Sequence, residues 1–551
     1  MKSYFELAQN FFKEKEYQKS LKNYLLALKN DPNANSVLIP TALNYMVLNN
    51  YEKAHLLFEK IIISNQSIAE IYYNNAICLI NINKEKEAII NLKEAIIIRE
   101  NFYEAYIQLC NLLKKFNQND IAIEYYKKSL TKVSQQEDIY CNLSELYYLN
   151  KDFKNSKEYA HKAIKINDKN TVALLNISVC LISEKNFEGA IEYLKKIIVI
   201  DQENAQAYNY LGIANKFLNN IDEATEFFKK SFATNKNYHE PYYNLAQIEL
   251  SNNNFKEGWK YYEHRWGIKN DPPTRFNTTK PFWRPEMGYN KKLLIWGEQG
   301  LGDELLFSSI LKDVENNFDT VTVSVDKRLC KLLNSSFKKI SFIDREVKID
   351  ENIFDYHLPI CSLGFFFRKD INSFFNKQLR LNVAERKFKH KTKKYRCALS
   401  WKSINKESGE ERSINLIDLK DILKIHNVEF FDIQYTEEKE ELNKLENDHG
   451  IKVNTIEGLD KKNDLYGLVQ FIKQCDFIIT IANTNAHLSA ASGKTTFLLL
   501  PKDNGKRWHW ENDFNGQNIW YPNVVKFSQE NIDNWSEPIE KLSLHIKNNY
   551  Y

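Results

Sequence analysis

Two short stretches of this 551-residue chain carry the residue types that could do chemistry. The first, GEQGLGDELLFSSIL (297–311), follows an apolar segment and opens a helical one. Gly300 and Gly302 would let the backbone pass close to a ligand. Asp303 falls at the helix start, either as an N-cap or as an exposed carboxylate at the mouth of a sheet. The second stretch, IITIANTNAHLSAASGKTTFLLLP (478–501), reads as strand, polar turn, short helix and strand. It puts Asn483, Thr484 and His487 at a helix N-terminus, where backbone N–H groups and the helix dipole favour an anion such as a diphosphate. SWKS (400–403) ends an earlier strand and brings Lys402 to the same carboxyl edge, with Arg412 in the polar loop that follows. The glycine spacing is not GxGxxG and no P-loop pattern occurs, which sets aside those two phosphate-binding signatures. No Asp-x-Asp triplet occurs either, so the diphosphate is expected to be neutralised without a metal, by Lys402, Arg412 and the helix start.

These residues need elements to position them, and the chain supplies two kinds. Tyr4, Leu7, Ala8, Phe11, Ser20, Tyr24 and Ala27 have counterparts every 34 residues. The second copy gives Ala42, Tyr45, Ala54 and Phe58, and the seventh gives Tyr208, Leu211, Gly212, Ala224 and Phe228. The period and its alternation of small and aromatic positions resemble the tetratricopeptide repeat. Seven copies fill 1–238 and an eighth begins at His239. A copy cannot bury its apolar face alone, so the copies are expected to stack into a superhelix with a concave groove. Position six of the repeat, which points into that groove, is Asn74, Asn142, Asn176 and Asn244, with Gln108 in one copy and breaks at Pro40 and Tyr210. A carboxamide both donates and accepts, so such a column would hold an extended peptide through bonds of about 1 kcal/mol each.

Composition then shifts. All nine tryptophans lie at or after Trp259, and four of the eleven prolines crowd into DPPTRFNTTKPFWRP (271–285). That stretch reads as a strap rather than a ninth repeat. Beyond it, LLIWG (293–297), TVTVSV (320–325), ISFI (340–343) and YHLPI (356–360) form one series of short apolar runs. CALSW (397–401), VEFFDIQ (428–434), DFIITIA (476–482) and TTFLLLP (495–501) form a second. Strand runs alternating with helical stretches predict parallel sheets, here two Rossmann-like lobes. The expected layout is a repeat solenoid over 1–266, a strap over 267–290, a first lobe over 291–377 and a second lobe with its extension over 378–551. Net charge of +4 argues against a nucleic-acid partner. The eight scattered cysteines read as reduced thiols, three of them (78, 110 and 180) at small buried repeat positions. No membrane span or leader is recognisable, and the expectation is a soluble cytoplasmic protein.

Taken together, GLGDELLF, SWKS, RSI (412–414), QY (434–435) and NAHLSAASGK resemble the heptosyltransferase-like glycosyltransferases, and more closely bacterial proteins that fuse tetratricopeptide repeats to such a domain. GWKYYEHRW (258–266) and RWHWEND with WYPNV (507–524) belong to the same resemblance. It implies a GT-B double-Rossmann fold after the solenoid, a nucleotide-sugar donor facing the second lobe, and Asp303 as general base. No other cofactor is implied. The implied reaction is metal-independent, inverting transfer of a sugar to a protein or cell-surface acceptor recruited by the repeats. The asparagine column is similar to the protein-holding repeats of the O-linked N-acetylglucosamine transferases. Ala482 stands where the family usually has Asp, and the alternative is a non-catalytic repeat scaffold with a degenerate transferase domain.

Overall fold

The computed structural model describes residues 3–64, 67–269, 272–388, 393–405, 408–502 and 506–550. It divides into two compact units, Met1–Ala214 and Asn215–Tyr551.

The first unit is a run of antiparallel helix pairs, from Tyr4–Lys13 with Tyr17–Asn30 to Thr171–Ser183 with Phe187–Ile200. Small side chains explain why each pair closes. Ala8, Ala42, Ala76, Cys110, Ser144 and Ser178 sit on the first helices of successive pairs, and Ser20, Ala54, Ala88, Ala122, Ser156 and Ala190 on the second, all buried. At these positions two helices approach too closely for a longer side chain. Hydroxyls there turn back onto backbone: Ser20 Oγ donates to the Ala8 carbonyl at 2.8 Å, and Ser156 Oγ to that of Ser144 at 2.7 Å. Each first helix then ends on a left-handed residue, with Lys15, Asn49, Asn83, Asn117, Lys151 and Lys185 all at φ between 57° and 62°. Asparagine tolerates that region better than other non-glycine residues. Part of the chain's asparagine richness therefore serves turns rather than a groove.

The second unit contains the end of the repeat array and two parallel sheets. The pair Glu240–Ser251 and Phe255–Tyr262 is the last helix pair. The first sheet has strands β1 (Lys292–Trp296), β2 (Thr320–Val325), β3 (Ile340–Asp344) and β4 (Tyr356–Pro359) in the order β3-β2-β1-β4. The second has β5 (Tyr395–Ser400), β6 (Val428–Asp432), β7 (Phe477–Ile481) and β8 (Thr495–Leu500). After a short hairpin, β9 (Asp513–Phe514) with β10 (Gln517–Asn518), it is completed by β11 (Val524–Ser528), in the order β11-β8-β7-β5-β6. Both sheets are parallel throughout. Eight of the nine long strands coincide with the apolar runs of the sequence; β11, VVKFS, was not anticipated.

The last helix pair does not behave as a free repeat. Ala246, Leu250, Phe255, Trp259 and Tyr262 belong to the same apolar core as Leu293 and Ile295 of the first sheet, Leu305 and Phe307 of the helix after β1, and Trp508, Trp510 and Trp520 of the chain end. Trp259 Nε1 donates to the Arg368 carbonyl at 2.6 Å, and Asn512 Nδ2 to the Leu250 carbonyl at 2.5 Å. The strap is anchored too, through a bridge from Phe282 to His357 beside β4 and the buried Trp283.

Candidate functional site

The glycine turn after β1 leads into the helix Leu301–Ser308. Gly300 is its N-cap and Asp303 its third residue, so Asp303 is not the cap. Burial raises the Asp303 pKa, while Arg507 and Arg412 pull it down, and the backbone N–H groups of Gly300 and Asp303 itself help to hold it down. Gly302 is needed for a protein contact and not only for ligand approach: a Cβ there would lie 3.1 Å from the His487 ring. The turn of the first sheet and the helix of the second thus meet at Gly302 and His487.

On the second sheet, Asn483 caps the helix Thr484–Ala491, its Oδ1 accepting from the N–H groups of Asn485 (2.9 Å) and Ala486 (3.3 Å). Its Nδ2 donates to Ser400 Oγ at 2.9 Å and the Lys402 carbonyl at 3.2 Å. Gln434 locks the same edge by accepting from the N–H groups of Trp401 and Lys402. Asn483 is therefore a brace between β5 and β7, and it occupies helix N–H groups that the sequence reading reserved for an anion. Thr484, the first residue of that helix, is half-exposed.

Two further expectations are corrected. The Lys402 ammonium pairs with Glu438 at 2.7 Å and Glu441 at 3.1 Å. Burial alone would lower its pKa, but these carboxylates outweigh it and the net shift is upward. Its charge is thus already compensated. His487 is 6 % exposed, with Nδ1 3.1 Å from the Tyr521 hydroxyl and its ring among those of His509, Trp510 and Tyr521. Burial, reinforced by Arg412, lowers its pKa to about 3. An uncharged, enclosed imidazole supplies no charge to a diphosphate.

Arg412 is different. It is only 7 % exposed, and its Nη1 donates to the Ala482 carbonyl at 3.1 Å. Nε and Nη2 have no hydrogen-bond partner among the described residues. Burial, with Arg507 nearby, lowers its pKa to about 10, against the opposing pull of Asp303. Arg507 also lies within electrostatic reach of Lys216 and Tyr243, from the end of the repeats. Two cations, Arg412 and Arg507, around the single carboxylate of Asp303 make this the anion-seeking corner of the unit. Sequence reasoning missed Arg507, His509, Tyr521 and Tyr243. The alternation of basic and aromatic residues in RWHW was the available signal for the first two.

The proposed peptide column is split by the two units. In the first, Asn74, Gln108 and Asn142 are half-exposed, each on the first helix of a pair. Asn176 instead bridges neighbouring first helices, donating to the Cys141 carbonyl at 3.1 Å. The buried carboxamide nearby is Asn75, bound to His55, Glu59 and Asn91. Asn244 lies in the second unit, half-exposed on the helix Glu240–Ser251.

Fold and site together define a repeat array of helix pairs leading into parallel α/β sheets. Residues 137–170 and 172–204 match the tetratricopeptide repeat family, and the chain carries these repeats in a helical solenoid. It is 24 % identical over 314 residues to protein FlbA of Caulobacter vibrioides, covering 53 % of this chain and 52 % of FlbA. The chain thus spans about half the length of that curated relative. Among solved structures, the C-terminal part of a repeat-containing protein from Cytophaga hutchinsonii matches with a TM-score of 0.37 and 15 % identity, over 42 % of this chain and 95 % of that one. YrrB, a tetratricopeptide protein with an unusual peptide-binding site, matches with a TM-score of 0.28 and 21 % identity, over 33 % of this chain and 95 % of that one. No helix among the described residues is long and apolar enough to cross a membrane.

Proposed function

We propose that the chain is a metal-independent glycosyltransferase of GT-B architecture, moving a sugar from a nucleotide-sugar donor to a protein acceptor held by the repeats. The observation that carries this reading is Arg412: a nearly buried guanidinium with two nitrogens lacking hydrogen-bond partners among the described residues, in electrostatic reach of Arg507 and Asp303. A buried cation left half-satisfied calls for an anion. A diphosphate fits, with Thr484 at its edge. The acceptor hydroxyl oxygen attacks the anomeric carbon as the bond to the diphosphate breaks. The hydroxyl proton passes to Asp303, the diphosphate leaves as an anion, and the configuration inverts. Burial lifts the Asp303 pKa, which suits a base working near neutrality. Acting in the same cytoplasmic compartment as a soluble nucleotide sugar is part of this reading.

Calorimetric titration with the adenosine, guanosine, uridine and cytidine diphosphates tests it. At least one should bind, and Arg412→Ala should weaken that binding roughly 10- to 100-fold, the equivalent of one or two charge-assisted hydrogen bonds. If none binds, the reading fails. The second reading, a protein-binding scaffold with a degenerate transferase domain, is favoured by the pairing of Lys402 with Glu438 and Glu441, which takes the expected phosphate-binding lysine out of the site.

A further inference from the structure

The end of the repeat array grips the turn that carries Asp303. Arg265, 1 % exposed, lies one residue short of the expected end of the solenoid. Its Nη2 donates to Glu298 Oε1 at 3.0 Å and Ser362 Oγ at 2.7 Å, and its Nη1 to Glu263 Oε1 at 2.6 Å. Glu298 also accepts from the Cys361 N–H at 3.2 Å. The next residue of the turn, Gln299, donates from Nε2 to the Tyr262 hydroxyl at 3.0 Å. The Arg265 guanidinium sits over the rings of Tyr262 and Trp266, at 4.9 and 4.5 Å. Two consecutive residues of the turn, Glu298 and Gln299, are thus bound by two residues of the last repeat. Gly297, just before them, has no room for a side chain, because a Cβ would lie 1.9 Å from Glu304 Oε1. A turn so confined has few alternative conformations while its partners stay in place.

We propose that Tyr262 and Arg265 are positioning residues, through which the last repeat sets the placement of Asp303 opposite Arg412 and Arg507. The inference rests on the transferase reading for its catalytic consequence, but the grip itself can be measured without turnover. Arg265 is a poor first target, because its loss strands the buried Glu298 and threatens folding. Tyr262→Phe keeps the ring in the core and removes only the hydroxyl that holds Gln299. In the full chain it should raise amide hydrogen exchange at 298–304 roughly five-fold, about one net hydrogen bond, with the melting temperature nearly unchanged. If the transferase is active, kcat should fall while nucleoside diphosphate affinity stays level. The acidic limb of kcat should move to higher pH, because Asp303 drawn away from two cations holds its proton more tightly. The double variant Arg265→Met with Glu298→Gln, which removes both charges, should show the same split with folding retained. Unchanged exchange at 298–304 in Tyr262→Phe overturns the proposal, as does unchanged kcat in a variant whose turn has loosened. Loosened exchange in a protein whose wild type transfers no sugar keeps the grip and discards the transferase reading.

Discussion

At the scale of single residues, the two stretches singled out from the sequence meet at Gly302 and His487, but local pattern misassigns several roles, because one residue type can answer two demands. Asp303 and Asn483 both stand at helix starts, where oxygen acceptors are wanted for structure as well as for function. Which demand wins depends on partners far away in the chain, 81 residues or more in each case. For Asp303 those partners are Arg412 and Arg507, for Asn483 they are Ser400 and Lys402, and no local pattern reveals them. Asp303→Asn separates the roles. It keeps the shape of the side chain and one oxygen but cannot take a proton, so sugar transfer should slow by roughly 10²–10⁴-fold while nucleotide binding and melting temperature hold. Two buried groups predict opposite pH effects on stability. His487 has a folded pKa near 3, below its ordinary value, so its contribution is present above the unfolded pKa of about 6.5 and is lost as pH falls towards 3. Glu304 is raised to about 7 by burial, against the Asp326 N–H and Arg345, so its contribution is full below its ordinary value and is lost as pH rises through 7. Denaturant unfolding of Glu304→Gln across pH 4 to 8 should show a flatter loss towards neutrality than wild type.

At the scale of elements, period carried most of the information. A 34-residue repeat of small residues announces helix pairs because only small side chains allow that approach, and every described pair is closed that way. The parallel strands were legible because strands covered on both faces read as unbroken apolar runs. β11 escaped because it lies at the sheet edge and alternates, with Val525 exposed and Val524 buried, in a stretch rich in tryptophan that draws the eye to other features. The turn signal was also hidden, since left-handed residues here are asparagine and lysine rather than glycine. Lysine gains nothing locally from that conformation, whose cost for a non-glycine residue is about 1–2 kcal/mol. Lys15→Gly and Lys151→Gly should each stabilise the first unit by roughly 0.5–1 kcal/mol after the extra unfolded-state entropy of glycine is set against that relief. Urea midpoints of the two variants check it, and a lowered midpoint in either would mean that the lysine stem makes packing contacts worth more than the strain.

At the scale of the whole molecule, composition suggests a boundary near residue 266, where the tryptophans begin and the prolines cluster, whereas the compact units part at Ala214 and Asn215. The difference has a physical cause. Trp259, Phe255 and Tyr262 continue the helical period of the repeats, yet they are packed among the rings of Phe307, Phe374 and Trp508. The last helix pair is thus a repeat by pattern and a wall of the α/β unit by packing. Burial of each large aromatic ring is worth on the order of 1.5–3 kcal/mol, so a fragment that lacks all three forfeits most of the stability of an ordinary domain. Two fragments, 215–551 and 267–551, therefore predict different fates. The longer should be monomeric and unfold cooperatively. It should also bind the same nucleoside diphosphate as the full chain, because Arg412, Arg507, Asp303 and Lys216 all lie within it. The shorter should expose the face that Trp259 covers and aggregate, or bind a dye specific for exposed apolar surface. If 267–551 instead folds and binds nucleotide as well as 215–551 does, the last repeat is dispensable to the core. The tight packing around Trp259 would then be an attachment between finished modules, not part of the module that holds the site.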